Sequence, residues 1–219
     1  MYNSSALAAS RHAAISALPK RMTGSRRAAS QREQVDRQDV HQKAADLIAG
    51  AAALPKVLVL DLDYTLWPCW CECYSAGDAP PGLFPHVEGI LDACRGAGIK
   101  LAVASRTPTP HVARAFMQKL GIADIWDSVQ LIPAASGWDC STAQKDRAHL
   151  PAIKEELGAG WAEMLFFDDE DGNVHKVSRL GVPSVLVDTG SGLSLERFRQ
   201  GLELFAARGG DACAARCGA

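Results

Sequence analysis

The chain has 219 residues, of which 47% are hydrophobic and 22% are charged, and its formal net charge is −2. These values are typical of an ordinary globular protein with one domain and an appendage. No run of 18 or more apolar residues is present, which excludes a membrane-spanning helix.

The first 32 residues differ in composition from the rest of the chain, because they contain six basic residues and no acidic one. This composition is typical of a mitochondrial or plastid transit peptide. The alternative is a disordered basic tail on a cytoplasmic protein. We therefore predict that residues 1–50 form a basic, disordered targeting segment and a short linker helix over residues 33–50. The segment has no unbroken apolar stretch and so is not a secretory signal.

The charge balance of the remaining chain argues against nucleic-acid binding. Without its first 32 residues the protein has 17 basic and 25 acidic residues, a net charge of −8. Basic contacts to phosphates supply most of the affinity for nucleic acids. We expect no nucleic-acid partner.

Strands and helices are predicted to alternate along residues 51–207. Buried strands are expected at residues 56–62, 99–104, 129–132, 164–167 and 182–187. Helices are expected at residues 86–97, 110–120, 149–157, 171–180 and 194–207. This alternation favours an α/β fold with a doubly wound parallel sheet in three layers. Residues 208–219 are rich in Gly and Ala, and we predict a flexible tail.

Two acidic residues follow the first predicted strand, in the sequence Asp61-Leu62-Asp63-Tyr64-Thr65. Ligands of open α/β sheets bind just beyond the carboxyl ends of the strands. Two acids spaced two residues apart can turn to the same side of the sheet. One can then serve as a nucleophile or metal ligand while the other transfers protons.

Three further polar clusters follow later apolar runs. Ser105-Arg106-Thr107 ends one strand, Lys145 precedes a helix, and Asp168-Asp169-Glu170-Asp171 ends another strand. A solvated loop explains any one of these clusters. Four clusters in the order acid pair, hydroxyl, lysine and acid pair indicate a single site.

This order resembles that of the haloacid dehalogenase (HAD) superfamily of phosphohydrolases. Three segments are similar to the type-one branch of the magnesium-dependent phosphatases: Asp61–Pro68, Ala104–Thr107, and Phe166–Glu170 with Asn173. The resemblance extends from about Pro55 to about Phe205. It implies a HAD-like Rossmannoid domain over residues 51–207.

The resemblance also implies a Mg²⁺-dependent hydrolase that forms an aspartyl-phosphate intermediate. Asp61 is then the nucleophile and a metal ligand, and Asp63 is the general acid and base, with its backbone carbonyl as a further metal ligand. The remaining roles are phosphoryl binding by Leu62, Ser105, Arg106 and Lys145, metal binding by Asp169 with support from Asp168, and orientation by Thr65. One departure concerns the lysine, which in the family usually stands three residues before a histidine. Lys145 stands four before His149, and Lys154 is therefore the alternative.

The spacing of the motifs predicts a minimal cap domain or none. Only 17 residues separate Pro68 from His86, and three of them are prolines. An uncapped site is open to bulky phosphomonoesters on small molecules or on proteins. The resemblance implies phosphotyrosine, as for a protein tyrosine phosphatase, or sugar phosphates as substrates.

Two other kinds of protein remain as alternatives. A receiver-like signalling domain combines similar residues, but in a different order. A non-catalytic protein that binds phospho-ligands is the second. Release of phosphate from p-nitrophenyl phosphate with Mg²⁺ separates an enzyme from both.

Seven cysteines cannot all pair, so reduced thiols in a cytosolic or organellar compartment are expected. Cys69, Cys71 and Cys73 could bind zinc, with Cys213 and Cys217, although structural zinc sites usually space their ligands more widely. The alternative is that the three cysteines line the active-site loop.

Overall fold

The computed structural model describes the backbone of residues 23–133 and 144–216 and the side chains of residues 36–133 and 144–208. Five parallel strands form one sheet in the order β3-β2-β1-β4-β5. The strands are β1 (Val57–Leu60), β2 (Lys100–Ser105), β3 (Ser128–Leu131), β4 (Met164–Asp168) and β5 (Ser184–Leu186). The helices are α1 (Thr23–Gly50), α2 (Val87–Gly96), α3 (Pro110–Lys119), α4 (Leu150–Leu157), α5 (Asp171–Ser178) and α6 (Leu195–Arg216). The sheet belongs to a compact unit that begins at Asp36.

Strand β1 lies at the centre of the sheet, and all four of its residues are buried. Alternate residues of a strand point to opposite faces. Leu58 and Leu60 accordingly join a core cluster with residues of α1, α2, α3 and α6, and Val57 and Val59 join a second cluster with residues of α4 and α5. Helices therefore cover both faces, which confirms the predicted doubly wound, three-layer α/β fold.

The end of helix α1 packs into the core, ahead of the predicted domain boundary at residue 51. Val40, Ala44 and Ile48 are all buried. Their spacing of four residues places them on one face of the helix. Gly89 of α2 permits the contact, since a Cβ at this position would lie 2.6 Å from Cγ1 of Val40. The compact unit thus includes this end of α1, and the boundary of the catalytic domain at residue 51 stays a prediction.

Charged contacts hold the same part of α1 to helix α2. Arg37 lies 2.7 Å from Oδ2 of Asp92 and 3.4 Å from Oε1 of Glu88. These side chains are partly exposed, so the contacts contribute little compared with the buried face. Of the segment predicted to be disordered, residues 23–32 are helical in backbone, and residues 1–22 lie outside the described part of the chain.

The last helix also differs from its predicted length. Helix α6 continues to Arg216 instead of ending at Ala207, so the tail predicted from residue 208 begins as helix. Propagation of an existing helix needs no new nucleus. The Ala residues of this stretch have the highest helix propensity, whereas each residue of the Gly209-Gly210 pair costs about 1 kcal/mol relative to Ala. The other boundaries agree with the predictions to within about two residues, as expected for element ends.

The segment between β1 and α2 contains no cap domain. Residues 61–86 include one short 3₁₀ turn, Cys71–Cys73. Lys119 of α3 fixes this segment by donating to the carbonyl oxygens of Ala76 at 2.7 Å and Asp78 at 2.5 Å. Residues 134–143, after β3, lie outside the described residues. No helix of the described chain has the length and apolar character needed to cross a membrane.

Candidate active site

The sheet register places Asp61 beside Asp168. Leu60 pairs with Phe167 of β4, and the Asp61 N–H donates to the Phe167 carbonyl at 3.1 Å. From β1 the chain runs outward through β2 and β3, then returns to β4 on the other side of β1. Such a reversal of strand order is the usual position of a ligand site in this architecture. The first and last polar clusters therefore meet there.

Lys145 joins these two acids from a third segment. Its Nζ lies 2.6 Å from Oδ1 of Asp61 and 2.5 Å from Oδ2 of Asp168, and all three side chains are buried or nearly so. Lys154 instead lies over the ring of Trp161, 5.5 Å from its centre. The structure therefore brings Lys145, and not Lys154, to the two acids, and the role of Lys145 in phosphoryl binding stays a prediction.

A π-helical turn over Lys145–His149 explains the unusual spacing of the lysine. The Leu150 N–H donates to the Lys145 carbonyl, five residues back. A π turn accommodates one residue more than an α turn and is frequent at functional sites. Lys145 and His149 are both buried despite the additional residue between them.

Asp61, Asp168 and Asp169 form a cluster of oxygen ligands. One carboxylate oxygen of each lies within 4.8 Å of the other two. Burial, followed by the neighbouring Asp168 carboxylate, raises the pKa of Asp169 to about 6. Burial also raises the pKa of Asp61 well above its usual range, and Lys145 opposes this increase. Three converging carboxylates with one nearby ammonium fit Mg²⁺, a hard cation that prefers oxygen ligands.

Asp168 is fully buried and held by two groups besides Lys145. Its Oδ1 accepts the Glu170 N–H at 2.8 Å and Nδ2 of Asn173 at 3.0 Å. Nδ2 of Asn173 also contacts Oε2 of Glu170 at 3.1 Å, and Arg106 donates to the same Glu170 oxygen. From the sequence, Asn173 is predicted only as part of the family motif, and Glu170 has no predicted role. Both become site residues through contacts that only the fold provides.

The Asp63 carboxylate is held separately from the three-acid cluster. Its Oδ1 accepts Nε1–H of Trp67 at 2.6 Å and the Cys71 N–H at 3.1 Å. Burial raises the pKa of Asp63, a direction that favours a proton donor. The predicted metal contact through the Asp63 backbone carbonyl stays a prediction. Trp67 lies within the Asp61–Pro68 motif, but its hydrogen bond to Asp63 is not predicted from the sequence.

Ser105 ends β2 on the other side of β1 and is buried. Its Oγ accepts the Thr107 N–H at 3.3 Å, and its carbonyl accepts Nε2–H of His149 at 2.8 Å. Burial lowers the pKa of His149 to about 4, so the ring is neutral at pH 7. His149 thus fixes the end of β2 without adding charge to the site.

Two predicted supporting residues lie in the turn after β1. Leu62 and Thr65 are fully buried, and the Leu62 carbonyl accepts the Thr65 N–H at 3.2 Å. Oγ1 of Thr65 has no hydrogen-bond partner within the described part of the chain. The roles of Leu62 in phosphoryl binding and of Thr65 in orientation stay predictions.

The three clustered cysteines do not converge on a metal among the residues that the structure describes. Burial raises the pKa of Cys69 to about 11 and that of Cys71 to about 12. The side chains of Cys213 and Cys217 lie outside the described part of the chain. Sγ of Cys71 lies 3.0 Å from Oγ1 of Thr107, as expected for a cysteine that lines the active-site loop.

Comparisons with known proteins agree with this geometry. A family model described as acid phosphatase matches residues 53–208. The chain is 30% identical over 169 residues to magnesium-dependent phosphatase 1 of Homo sapiens, covering 71% of this chain and 89% of the relative. It is also 30% identical over 147 residues to a HAD-like hydrolase superfamily protein of Schizosaccharomyces pombe, covering 58% of this chain and 83% of the relative.

A solved structure supports the fold. The chain is similar to a HAD-superfamily hydrolase from Ehrlichia chaffeensis, with a TM-score of 0.52 and 13% identity, over 72% of this chain and 99% of that one. The receiver-like alternative is wrong, because the family match covers most of the chain. The protein is a phosphatase with Mg²⁺ as its cofactor and a phosphorylated compound as its substrate. The chain belongs to the magnesium-dependent acid phosphatases of the HAD superfamily.

Proposed function

We propose that the protein hydrolyses phosphomonoesters through a phosphate ester on Asp61. The observation that supports this most strongly is the position of Asp61. It lies at the switch point of the sheet, within 2.6 Å of the Lys145 ammonium and within 4.8 Å of the Asp168 and Asp169 oxygens. A carboxylate nucleophile needs positive charge beside it to approach a phosphate dianion.

The reaction has two steps in this proposal. In the first, an oxygen of Asp61 attacks phosphorus, the bond to the leaving oxygen breaks, and Asp63 protonates that oxygen. In the second, Asp63 removes a proton from a water molecule, which attacks phosphorus and frees Asp61. The raised pKa of Asp63 supports its role as the proton donor.

The remaining groups bind and neutralise the phosphoryl oxygens. Lys145 comes from the turn before α4, and Ser105 and Arg106 come from the end of β2 beside β1. Mg²⁺, when bound by the carboxylates of Asp61, Asp168 and Asp169, further neutralises charge on the transferring group.

The mouth of the site favours aryl phosphates such as phosphotyrosine over sugar phosphates. Trp70 is 56% exposed and contacts Tyr64 edge to face, with 5.3 Å between ring centres. Trp70 directly precedes Cys71, whose N–H binds Asp63, so both rings flank the residue that protonates the leaving group. An aromatic leaving group gains contact area from such a pair. A sugar would leave hydroxyl groups against apolar surface.

Replacing the nucleophile tests the mechanism. Asp61→Asn is nearly isosteric, so we expect unchanged folding and loss of at least about three decades of p-nitrophenyl phosphate turnover with Mg²⁺. Asp63→Asn should lose about two to four decades. Asp171→Asn, an exposed acid of α5, is the matched control and should retain the rate. Asp61→Asn that keeps more than about a tenth of the rate contradicts the covalent mechanism.

A substrate panel tests the leaving-group preference. Trp70→Ala should lower kcat/KM for phosphotyrosine about tenfold and leave that for a sugar phosphate within about twofold, because only the aryl group contacts the ring. Leu186→Ala, on the edge strand β5, is the control for loss of an exposed apolar side chain. Equal losses for both substrates contradict the aryl preference. Binding of substrate without any turnover by the wild type would support the non-catalytic alternative.

A further inference from the structure

Arg106 and Glu170 form an ion pair across the end of strand β1. Arg106 directly follows β2, and Glu170 lies two residues beyond the end of β4. Strands β2 and β4 flank β1 on opposite sides. The pair therefore connects the two loops on either side of Asp61.

Glu170 is anchored to the metal-binding end of the site. Its own N–H donates to Oδ1 of Asp168 at 2.8 Å, and its Oε2 accepts Nδ2 of Asn173 at 3.1 Å. Asn173 is buried and also contacts both carboxylate oxygens of Asp168, at 3.0 and 3.2 Å. The Glu170 carboxylate is thus fixed from its backbone and from a buried amide, although its side chain is 54% exposed.

Arg106, by contrast, depends on Glu170 for its position. In the described residues its guanidinium contacts Glu170 through Nη2 alone. An arginine side chain has five N–H donors and many accessible rotamers. A single anchoring contact removes part of that freedom before the substrate arrives and leaves donors available for a phosphoryl oxygen.

We propose that Glu170 is a positioning residue, which holds Arg106 ready to bind the substrate phosphoryl group. The inference rests on the proposed function, because it takes Arg106 as a phosphoryl ligand. The negative charge of Glu170 by itself weakens phosphate binding, so its benefit comes from orientation. Orientation and charge can be separated experimentally, since glutamine preserves the accepting oxygen and removes the charge.

A double-mutant cycle tests this inference. We expect Glu170→Ala to raise KM, and the Kd of inorganic phosphate measured with Mg²⁺, about tenfold while kcat stays within about twofold, as for loss of uniform binding. Glu170→Gln should restore phosphate affinity to the wild-type level or better. In the Arg106→Ala background, Glu170→Ala should change neither quantity by more than about twofold, because coupled residues are not additive.

Two controls make the result specific. Asp171→Ala removes a neighbouring acid and should leave KM unchanged. Thermal unfolding of each variant reports damage to the Asp168 network. The inference is overturned if Glu170→Ala weakens phosphate binding equally with and without Arg106, if it tightens binding, or if Glu170→Gln fails to restore affinity.

The phosphate Kd does not depend on a covalent intermediate. A failure of the Asp61 mechanism therefore leaves the coupling between Glu170 and Arg106 measurable, and a failure of that coupling leaves the Asp61 result intact.

Discussion

Nζ of Lys145 lies 2.6 Å from Oδ1 of Asp61, although the two residues come from segments far apart in the sequence. The same ammonium contacts Asp168, so one cation serves two buried carboxylates. A buried charge without a partner is strongly destabilising. Removing any one of these three groups would therefore leave an uncompensated buried charge, and the ammonium places positive charge beside the proposed nucleophile.

We predict that Lys145→Met inactivates the enzyme and destabilises it by about 3 to 5 kcal/mol, because it leaves the Asp61 and Asp168 carboxylates unpaired. Urea unfolding and Mg²⁺-dependent hydrolysis measure the two effects. Lys154→Met is the control, since Lys154 contacts only the Trp161 ring among the described charged and aromatic contacts. If Lys154→Met is inactive and Lys145→Met is active, Lys154 is the lysine of the active site instead of Lys145.

Metal removal should abolish activity, and Mg²⁺ should restore it. Ca²⁺ should bind the all-oxygen cluster but inhibit, because its longer and less regular coordination misplaces the nucleophile. Asp169→Asn should weaken Mg²⁺ binding in calorimetry, and the exposed Asp171→Asn should not. Full activity after thorough chelation would refute the metal site.

His149 should make the protein less stable in acid. Its pKa is about 4 in the folded state and about 6.5 when unfolded, so the unfolded chain binds the proton first. The resulting loss of unfolding free energy is absent above pH 6.5, grows as the pH falls toward 4, and reaches about 3 kcal/mol. His149→Gln can still donate to the Ser105 carbonyl but does not titrate. If acidification lowers the unfolding free energy of the wild type and of His149→Gln equally, the prediction is wrong.

Gly89→Ala should destabilise the protein by about 1 to 3 kcal/mol through overpacking. The added Cβ would lie 2.6 Å from Cγ1 of Val40 and 2.8 Å from the His41 nitrogen. Gly96→Ala, in the same helix, is the matched control, because its Cβ would meet nothing within 4 Å. Chemical unfolding measures both variants. Equal stability of the two would mean that α1 does not pack tightly on α2.

We propose that residues 1–32 direct import into a plastid or mitochondrion, on the basis of their six basic residues and lack of acids. A fluorescent fusion of residues 1–50 should enter an organelle, and a diffuse cytosolic signal would refute targeting. Deletion of residues 1–35 should leave the catalytic rate nearly unchanged. Deletion of residues 1–50 should destabilise the protein, because it removes the buried Val40, Ala44 and Ile48.

The strands of the sheet, the order of the polar clusters and most of the site residues can be predicted from the sequence alone. Buried strands such as Val57–Leu60 show as continuous apolar runs, and each run is followed directly by its functional residues. Parallel strands bring their carboxyl ends to one edge of the sheet, so the sequence alone predicts that Asp61, Ser105 and Asp168 lie close together. This information is local, because each cluster is adjacent in sequence to the strand that positions it.

Tertiary contacts are needed to see which of two lysines reaches the acids and that the end of α1 packs into the core. Lys145 qualifies because a π-helical turn aims it at Asp61 and Asp168, and sequence spacing does not reveal such a turn. The sequence predicts only a linker helix over residues 33–50. The face of α1 that contains Val40 packs against Gly89, which lies 49 positions away in the sequence. Periodicity shows which face of a helix is apolar. The partner of that face depends on packing between segments that are distant in sequence.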